Sequence, residues 1–168
     1  MITVYKKGEY EVLKYSPSII HPFYDNMDPL SLFSRIRFFI EYFYGYDVYY
    51  LKRDGIIVGY CTVSSGRNTR YWFADERDII FGPYYIKEEY RGLGLSRILI
   101  DIVLNSLGIN YRYAYDYIDN KNIPSIRVTQ RLGGIKVFNV NINVITRQMR
   151  KSQTGQYGIY RIARKKDT

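Results

Sequence analysis

The sequence predicts a mixed α/β fold in one domain, residues 1–168, and three local patterns carry that expectation. Asp54-Gly55 separates two runs rich in β-branched and aromatic residues, the favoured dipeptide for a tight two-residue hairpin turn. Leu95, Ile98, Leu99, Ile102 and Val103 recur at the spacing of one helical face. Tyr111, Tyr113, Tyr115 and Tyr117 alternate with Arg112, Ala114 and Asp116, the period of a half-buried strand with an aromatic wall. No internal repeat and no Pro/Gly/Ser linker divides the chain.

From the N-terminus, short strands are expected at Thr3 to Tyr5 and Tyr10 to Lys14. Asp28-Pro29 supplies a capping carboxylate and a proline at the first helical position. The helix to Tyr44 then places Phe33, Ile36, Ile40 and Phe43 on one face, read as core-facing. Strands follow at Asp47 to Arg53 and Ile56 to Ser64, then a loop at Ser65 to Thr69 and a strand at Asp78 to Ile86. The helix at Leu95 to Leu107 is expected to stop at Gly108. After the tyrosine strand, Asn122 caps a short helix to Leu132 with Pro124 in its first turn, where the missing N–H is harmless. Gly133-Gly134 ends it. Ile135 to Ile145 and Tyr157 to Ala163 complete the strands.

The chain has 168 residues, with 25 Lys+Arg against 16 Asp+Glu, a net charge of +9. The charge is uneven: residues 121–168 hold eleven basic side chains and one acid, residues 1–120 fourteen and fifteen. A basic surface attracts phosphates of a nucleotide cofactor, an acidic substrate or nucleic acid. The tail Arg164-Lys165-Lys166 also reads as a solvated charge run. Cys61 is the one cysteine and His21 the one histidine, which excludes a disulfide framework and a Cys/His zinc site; no metal is expected. The first ten residues carry Lys6, Lys7 and Glu9 and do not read as a signal peptide. No apolar stretch approaches the roughly 18 residues of a membrane span. Both point to the cytoplasm, as does a lone cysteine.

The chemistry concentrates in Tyr84-Tyr85-Ile86-Lys87-Glu88-Glu89-Tyr90-Arg91-Gly92-Leu93-Gly94-Leu95-Ser96. A strand ends near Ile86, a polar loop follows, and the glycines open an apolar helix. Glycines let backbone N–H groups face outward, and the helix start adds unpaired amides and the positive end of a dipole. Together they suit a pyrophosphate, with Arg91 and Arg97 as counter-charges. There is no Walker ending and no third glycine of a dinucleotide fingerprint. Arg91-Gly-Leu-Gly94-Leu-Ser96 resembles the Arg/Gln-x-x-Gly-x-Gly/Ala motif of the GCN5-related N-acetyltransferase (GNAT) superfamily. Downstream, Asn122-Ile-Pro-Ser125 and Leu132-Gly133 match that family's Asn-x-x-Ser/Ala…Leu-Gly pattern. The similarity covers residues 78–134.

The resemblance implies a central mixed, mostly antiparallel sheet of six to seven strands with splayed fourth and fifth strands, flanked by about four helices. It implies acetyl-CoA as donor, with the pyrophosphate on residues Arg91, Gly92, Leu93, Gly94, Leu95, Ser96 and Arg97. The pantetheine arm falls beside the backbone of Tyr84, Tyr85 and Ile86. Asn122 and Ser125 face it, with Arg127 or Arg131 toward the phosphates. The activity implied is acetyl transfer to a primary amine of a small molecule or peptide.

Such transfer needs a neutral amine, a polarised thioester carbonyl and a proton for the departing thiolate. The family's usual acid is a tyrosine seven positions beyond the motif asparagine; here that position is Thr129. Gly134 likewise stands where the family often has phenylalanine. Tyr115 and Tyr117 are substitutes by location, and core packing is the competing reading of both. Asp78, Glu76 and Asp116 are candidate bases acting through water. His21 reads as a solvated loop residue and Cys61 as a small buried hydrophobe. The acceptor is expected beside the helix at 29–44 and the loop Arg67 to Glu76, where Tyr71-Trp72-Phe73 suit stacking on a sugar or ring; the basic C-terminal third leaves room for an amino sugar on an acidic carrier. Two other functions fit parts of the sequence. One is an acyl-CoA-binding sensor without transferase activity, suggested by Thr129. The other is a basic nucleic-acid module, against which stand the lack of a binding motif and tyrosines lying apart from the charge. The aromatic C-terminal strands offer a pairing surface for a homodimer.

Overall fold

The computed structural model describes residues 1–24, 32–106 and 111–164. Among these it contains nine strands and three α-helices, more strands than the six to seven expected and fewer helices than four. The chain forms two compact units. The first is Met1–Ser64 with Phe81–Gly108, the second Ser65–Ile80 with Ile109–Thr168. The expected helix start at Asp28-Pro29, the stop at Gly108 and the tail residues Lys165 and Lys166 lie outside the described residues, as does the side chain of Phe33.

In the first unit, β1 (Ile2–Lys7), β2 (Tyr10–Tyr15), β3 (Tyr46–Arg53) and β4 (Ile56–Ser65) form an antiparallel meander beside β5 (Ile79–Ile86). Asp54 and Gly55 both adopt positive φ, 50° and 81°, the conformation of the expected primed turn between β3 and β4. Gly59 of β4 has no room for a side chain, because a Cβ there would meet the Tyr85 carbonyl at 2.6 Å. The core of this unit gathers Leu13, Phe23, Phe38, Tyr46, Val48, Tyr50 and Tyr60. Phe23 meets Phe38 edge-on at 4.8 Å and Tyr60 at 5.2 Å. Burying each such side chain contributes about 1.5–3 kcal/mol.

Helix α1 (Leu32–Tyr44) corrects one expectation. Ile36, Ile40 and Phe43 face outward, while Phe38 and Glu41 are the buried positions. Apolar residues occur on both sides of this helix, so periodicity alone does not fix which side turns inward. Phe38 is taken inside because Phe23 and Tyr46 supply ring partners. Helix α2 (Leu95–Ser106) buries Leu95, Leu99, Ile100, Val103 and Leu104, a stripe turned slightly from the one expected.

In the second unit the strand order is β5-β6-β9-β7-β8, with β6 (Tyr113–Asp119), β7 (Ile135–Ile142), β8 (Met149–Lys151) and β9 (Tyr157–Ala163). The start of β5 pairs in parallel with β6, Ile79 with Ala114 and Ile80 with Tyr115; the β6–β9, β9–β7 and β7–β8 ladders are antiparallel. Thus β5 and β6 are the fourth and fifth strands of the expected fold. Helix α3 (Ile123–Arg131) begins at its expected cap, Asn122. The tyrosine strand is not half-buried: Tyr115 faces an aromatic core, yet Ala114, Asp116 and Ile118 on the opposite face are buried too. Thr129 of α3 bonds Asp116 from that side, which is why alternation in chemistry is not alternation in exposure.

Candidate active site

The glycine loop has the backbone that anion binding requires. After β5 the chain makes a 3-10 turn at Glu88–Tyr90 and passes through Gly92 (φ 81°) and Gly94 (φ 73°) into α2. At both glycines a Cβ would meet nothing within 4 Å. They are needed for backbone conformation, and the space over them is open. The N–H groups of Arg97 and Ile98 both bond to the Gly94 carbonyl at 3.1 and 3.2 Å. Those of Leu95 and Ser96, in the first turn, have no intrahelical acceptor and sit at the positive end of the helix dipole.

Arg91 is held against the end of β5. Its Nε donates to the Ile86 carbonyl at 3.1 Å and its guanidinium lies 5.4 Å from the Tyr85 ring centroid. This fastens the loop to the end of β5. Tyr84 and Tyr85 are half-buried and Ile86 is buried. Arg97 is exposed on the first turn of α2. These residues all belong to the first unit.

The remaining site residues belong to the second unit. Asn122 Oδ1 accepts from the Ser125 amide at 3.3 Å, capping α3, and Arg131 is exposed at that helix's last turn. Tyr71, Phe73, Tyr115 and Tyr117 come together in one aromatic cluster with Ile80, Val140, Met149 and Ile159. Phe73 meets Tyr115 at 5.3 Å and Tyr71 meets Tyr117 at 6.2 Å. Of the three residues expected to stack on a ligand, Tyr71 is core and Phe73 half-buried. Trp72 is 49% exposed, although one face stacks on Phe138 at 5.3 Å and its Nε1 donates to the Met149 carbonyl.

Asp78 is buried, and its carboxylate is engaged on every side. It accepts from Arg112 Nε at 3.2 Å and Nη2 at 2.9 Å, from the Tyr113 amide at 3.2 Å and from the Asp75 amide at 3.1 Å. This closes the loop between β4 and β5 onto the start of β6. Gly66 completes the closure: its N–H donates to the Asp78 carbonyl at 3.0 Å, and a Cβ there would collide with the Asp75 carbonyl. Glu76 is exposed on the same loop, 3.8 Å from Arg67.

Burial raises the hydroxyl pKa of Tyr115, with the charge of Asp78 adding to it. Asp116 is pushed up to about 7 by burial, against the opposing hydrogen bonds from Thr129 and the Tyr117 amide. Asp116 lies on the other face of β6 from Tyr115 and Tyr117, so it shares no surface with them. His21 is exposed in a turn, and Cys61 is buried and forms no disulfide.

Sequence reasoning passed over Arg70. Its buried guanidinium carbon lies 5.2 Å from both the Tyr71 and Tyr117 ring centroids. The signal was present, an arginine immediately before the Tyr-Trp-Phe triplet, and cation–π contact is its ordinary use. Among the described residues no three His, Cys, Asp or Glu side chains cluster as metal ligands, and no helix is long and apolar enough to cross a membrane.

Comparison with known proteins agrees with this geometry. Residues 16–134 match the family described as Acetyltransferase (GNAT) family. No curated protein matches the sequence. Among solved structures, an N-acetyltransferase from Staphylococcus aureus Mu50 superposes with a TM-score of 0.57 at 16% identity, over 92% of this chain and 99% of that one. The yncA protein of Salmonella typhimurium, solved with its cofactor acetyl-CoA, gives 0.55 at 15% identity over 80% and 73%. A spermidine N-acetyltransferase chimera from Vibrio cholerae and hSSAT gives 0.53 at 15% over 71% and 68%. At such identities the likeness speaks to the fold.

Proposed function

The chain belongs to the GNAT acetyltransferase family, and on that premise we propose that it transfers the acetyl group of acetyl-CoA to the primary amine of a small molecule or peptide. The observation that carries this reading is the glycine loop. Its open face over Gly92 and Gly94, at the start of α2, suits the approach of a pyrophosphate to the backbone amides. Bound acetyl-CoA supplies an acyl carbon already activated as a thioester.

The residues of the chain then divide the work. Amides of Gly92 to Ser96 hold the pyrophosphate, and Arg91 positions that loop through Ile86 and Tyr85. A backbone amide near Ile86 polarises the acetyl carbonyl. Tyr117, half-buried and beside the Arg70 cation, is the proposed donor of a proton to the departing thiolate; Tyr115, buried with a raised pKa, gives up its proton less readily. With Asp78 engaged by four donors, Glu76 is the carboxylate left to take the amine's proton through water. Asn122, Ser125 and Arg131 are proposed as further donor-binding residues.

The family match crosses segments of both units, which supports reading them as one catalytic domain. The buried thiol of Cys61, which forms no disulfide, is in keeping with a cytoplasmic setting. A second reading, an acyl-CoA-binding sensor without transfer, is favoured by one observation: Thr129 is buried and bonded to Asp116 at the position of the family's usual acid. Calorimetric titration with acetyl-CoA and CoA, followed by thiol release against an amine panel, separates the readings. Binding with release supports the transferase and binding without release the sensor. Absence of binding at high micromolar donor removes both.

A further inference from the structure

The hairpin between β7 and β8 ends in a way that the β1–β2 and β3–β4 hairpins do not. The turns at Gly8–Glu9 and Asp54–Gly55 are polar, as solvent-facing turns ordinarily are. Here the tip is Val144-Ile145, 64% and 79% exposed. Its own hydrogen bonds hold it in that form. Asn143 Oδ1 accepts from the amides of Ile145 and Thr146 at 2.9 and 2.8 Å. The Arg147 amide donates to the Asn143 carbonyl, and the Asn143 amide to the Gln148 carbonyl, both at 2.9 Å. Arg147 sits at φ 59°, a conformation that glycine adopts at less cost. A built turn thus presents two branched aliphatic side chains to solvent, with a cation where the backbone favours glycine.

Positive charge surrounds the tip. The sequence has no Asp or Glu between Asp119 and Asp167, while Arg147, Arg150 and Lys151 follow the tip directly. Arg150 and Lys151 are exposed and consecutive in β8, so they lie on opposite faces of the ribbon. Arg150 shares a hollow of about 230 Å³ with Asn141, Ile142, Asn143 and Gln148. The side-chain carbonyls of Asn141 and Asn143 accept from backbone amides, so their NH2 ends join the guanidinium as donors, a set suited to a phosphate. On the other face Lys151 Nζ lies 5.4 Å from the Phe138 ring centroid. The same ring carries the half-exposed Trp72, pinned to the root of the hairpin through the Met149 carbonyl. Apolar tip, flanking cations and a tryptophan behind them are the chemistries met on passing from hydrocarbon through headgroups to water.

We propose that this hairpin docks the protein on a membrane surface rich in anionic lipid, with Val144 and Ile145 entering the acyl boundary and Arg147, Arg150 and Lys151 among the headgroup phosphates. A protein partner is the poorer fit. A stable protein interface takes about 800 Å² from each side, and this tip offers two apolar side chains. A partner lying flat on one face of the ribbon also misses the cation on the other, whereas a fluid surface closing round the finger meets both. The contact is reversible, since so small an anchor falls far short of a spanning helix. It lies wholly in the second unit and goes beyond the transferase reading.

The chain's one tryptophan reports on the test. Vesicles of equal parts phosphatidylcholine and phosphatidylglycerol, added to the full chain, shift Trp72 emission to the blue and carry the protein down on sedimentation. Vesicles of phosphatidylcholine alone bind about tenfold or more weaker. Val144→Ser combined with Ile145→Ser weakens binding to the mixed vesicles about tenfold or more, and Arg150→Gln combined with Lys151→Gln weakens it about tenfold. Neither pair changes the melting temperature or the affinity for CoA. No binding to the mixed vesicles, equal binding to both kinds, or either double variant binding like the parent overturns the proposal. The same emission shift with polyglutamate or glycerol phosphate also overturns it, by marking an acidic-protein or small-anion site. So does sedimentation showing a dimer that the double serine variant dissolves, because a second copy then covers the tip.

Discussion

Thr129 donates its hydroxyl hydrogen bond to Asp116 Oδ2 at 3.0 Å, and both side chains are buried between α3 and β6. At the position where the family usually carries a tyrosine acid, this chain has a structural contact. Gly134 is part of the same arrangement: a Cβ there would lie 2.7 Å from Thr129 Cγ2 and 2.8 Å from the Thr129 carbonyl, so the family's phenylalanine has no room.

Asp116 makes the fold sensitive to pH. Its pKa rises from an ordinary 3.8 to about 7 in the folded chain, so the folded state binds the proton more tightly than the unfolded one. Its contribution is complete below pH 4 and is lost as pH rises to about 7, at about 1.4 kcal/mol per unit. Asp116→Asn keeps the volume and cannot ionise. Denaturation midpoints from pH 4 to 9 should show the parent losing stability relative to this variant across that window and running parallel to it above. Parallel curves throughout would mean that Asp116 does not titrate in the fold.

Gly94→Ala tests the glycine loop. An L side chain at φ 73° costs about 1–2 kcal/mol and a methyl group enters the space over the amides. CoA affinity should fall about tenfold or more with a small loss of thermal stability, read by calorimetry and melting. Unchanged affinity would place the pyrophosphate elsewhere.

Asp78→Asn separates structure from catalysis at the loop clamp. The substitution weakens two charge-assisted bonds from Arg112 and inserts an N–H among donors that need an acceptor. The expected loss is about 2–4 kcal/mol in stability, with faster proteolysis of the segment after Gly66. A variant that melts like the parent but has lost turnover would instead make Asp78 a base.

Tyr117→Phe should lower kcat about 10- to 100-fold at unchanged KM for acetyl-CoA and unchanged melting, because only the proton-donating hydroxyl is removed. Tyr115→Phe should leave kcat within a few-fold. The reverse ranking would move the acid to Tyr115.

What could be read from the sequence was what neighbouring residues decide. Asp54-Gly55 fixes its turn through the φ values it tolerates, Asn122 caps α3 through its own side chain, and Tyr157 to Ala163 matches β9 at both ends. What could not be read depends on partners remote in sequence. Helix α1 has two apolar sides, and only Phe23 and Tyr46 select Phe38. The tyrosine strand is buried twice over because α3 covers its polar face. β8, three residues with two basic side chains, has no signal apart from its pairing with β7. In the site, the glycine loop was legible because backbone chemistry is written in glycines. The engagement of Asp78 was not, since Arg112 lies 34 positions away.

The two units divide the charge unequally. Fifteen of the 25 basic and six of the 16 acidic residues fall in the second unit, which therefore carries the whole +9, while the first holds ten of each. Collisions with a phosphate-bearing donor are thus not equivalent in all directions: encounters are drawn toward one part of the chain before any hydrogen bond forms. Added salt shortens the reach of that attraction to about 10 Å at 0.1 M. The association rate for CoA should therefore drop with ionic strength while its dissociation rate hardly moves, making the basic unit a determinant of how often the donor arrives and not of how firmly it is held.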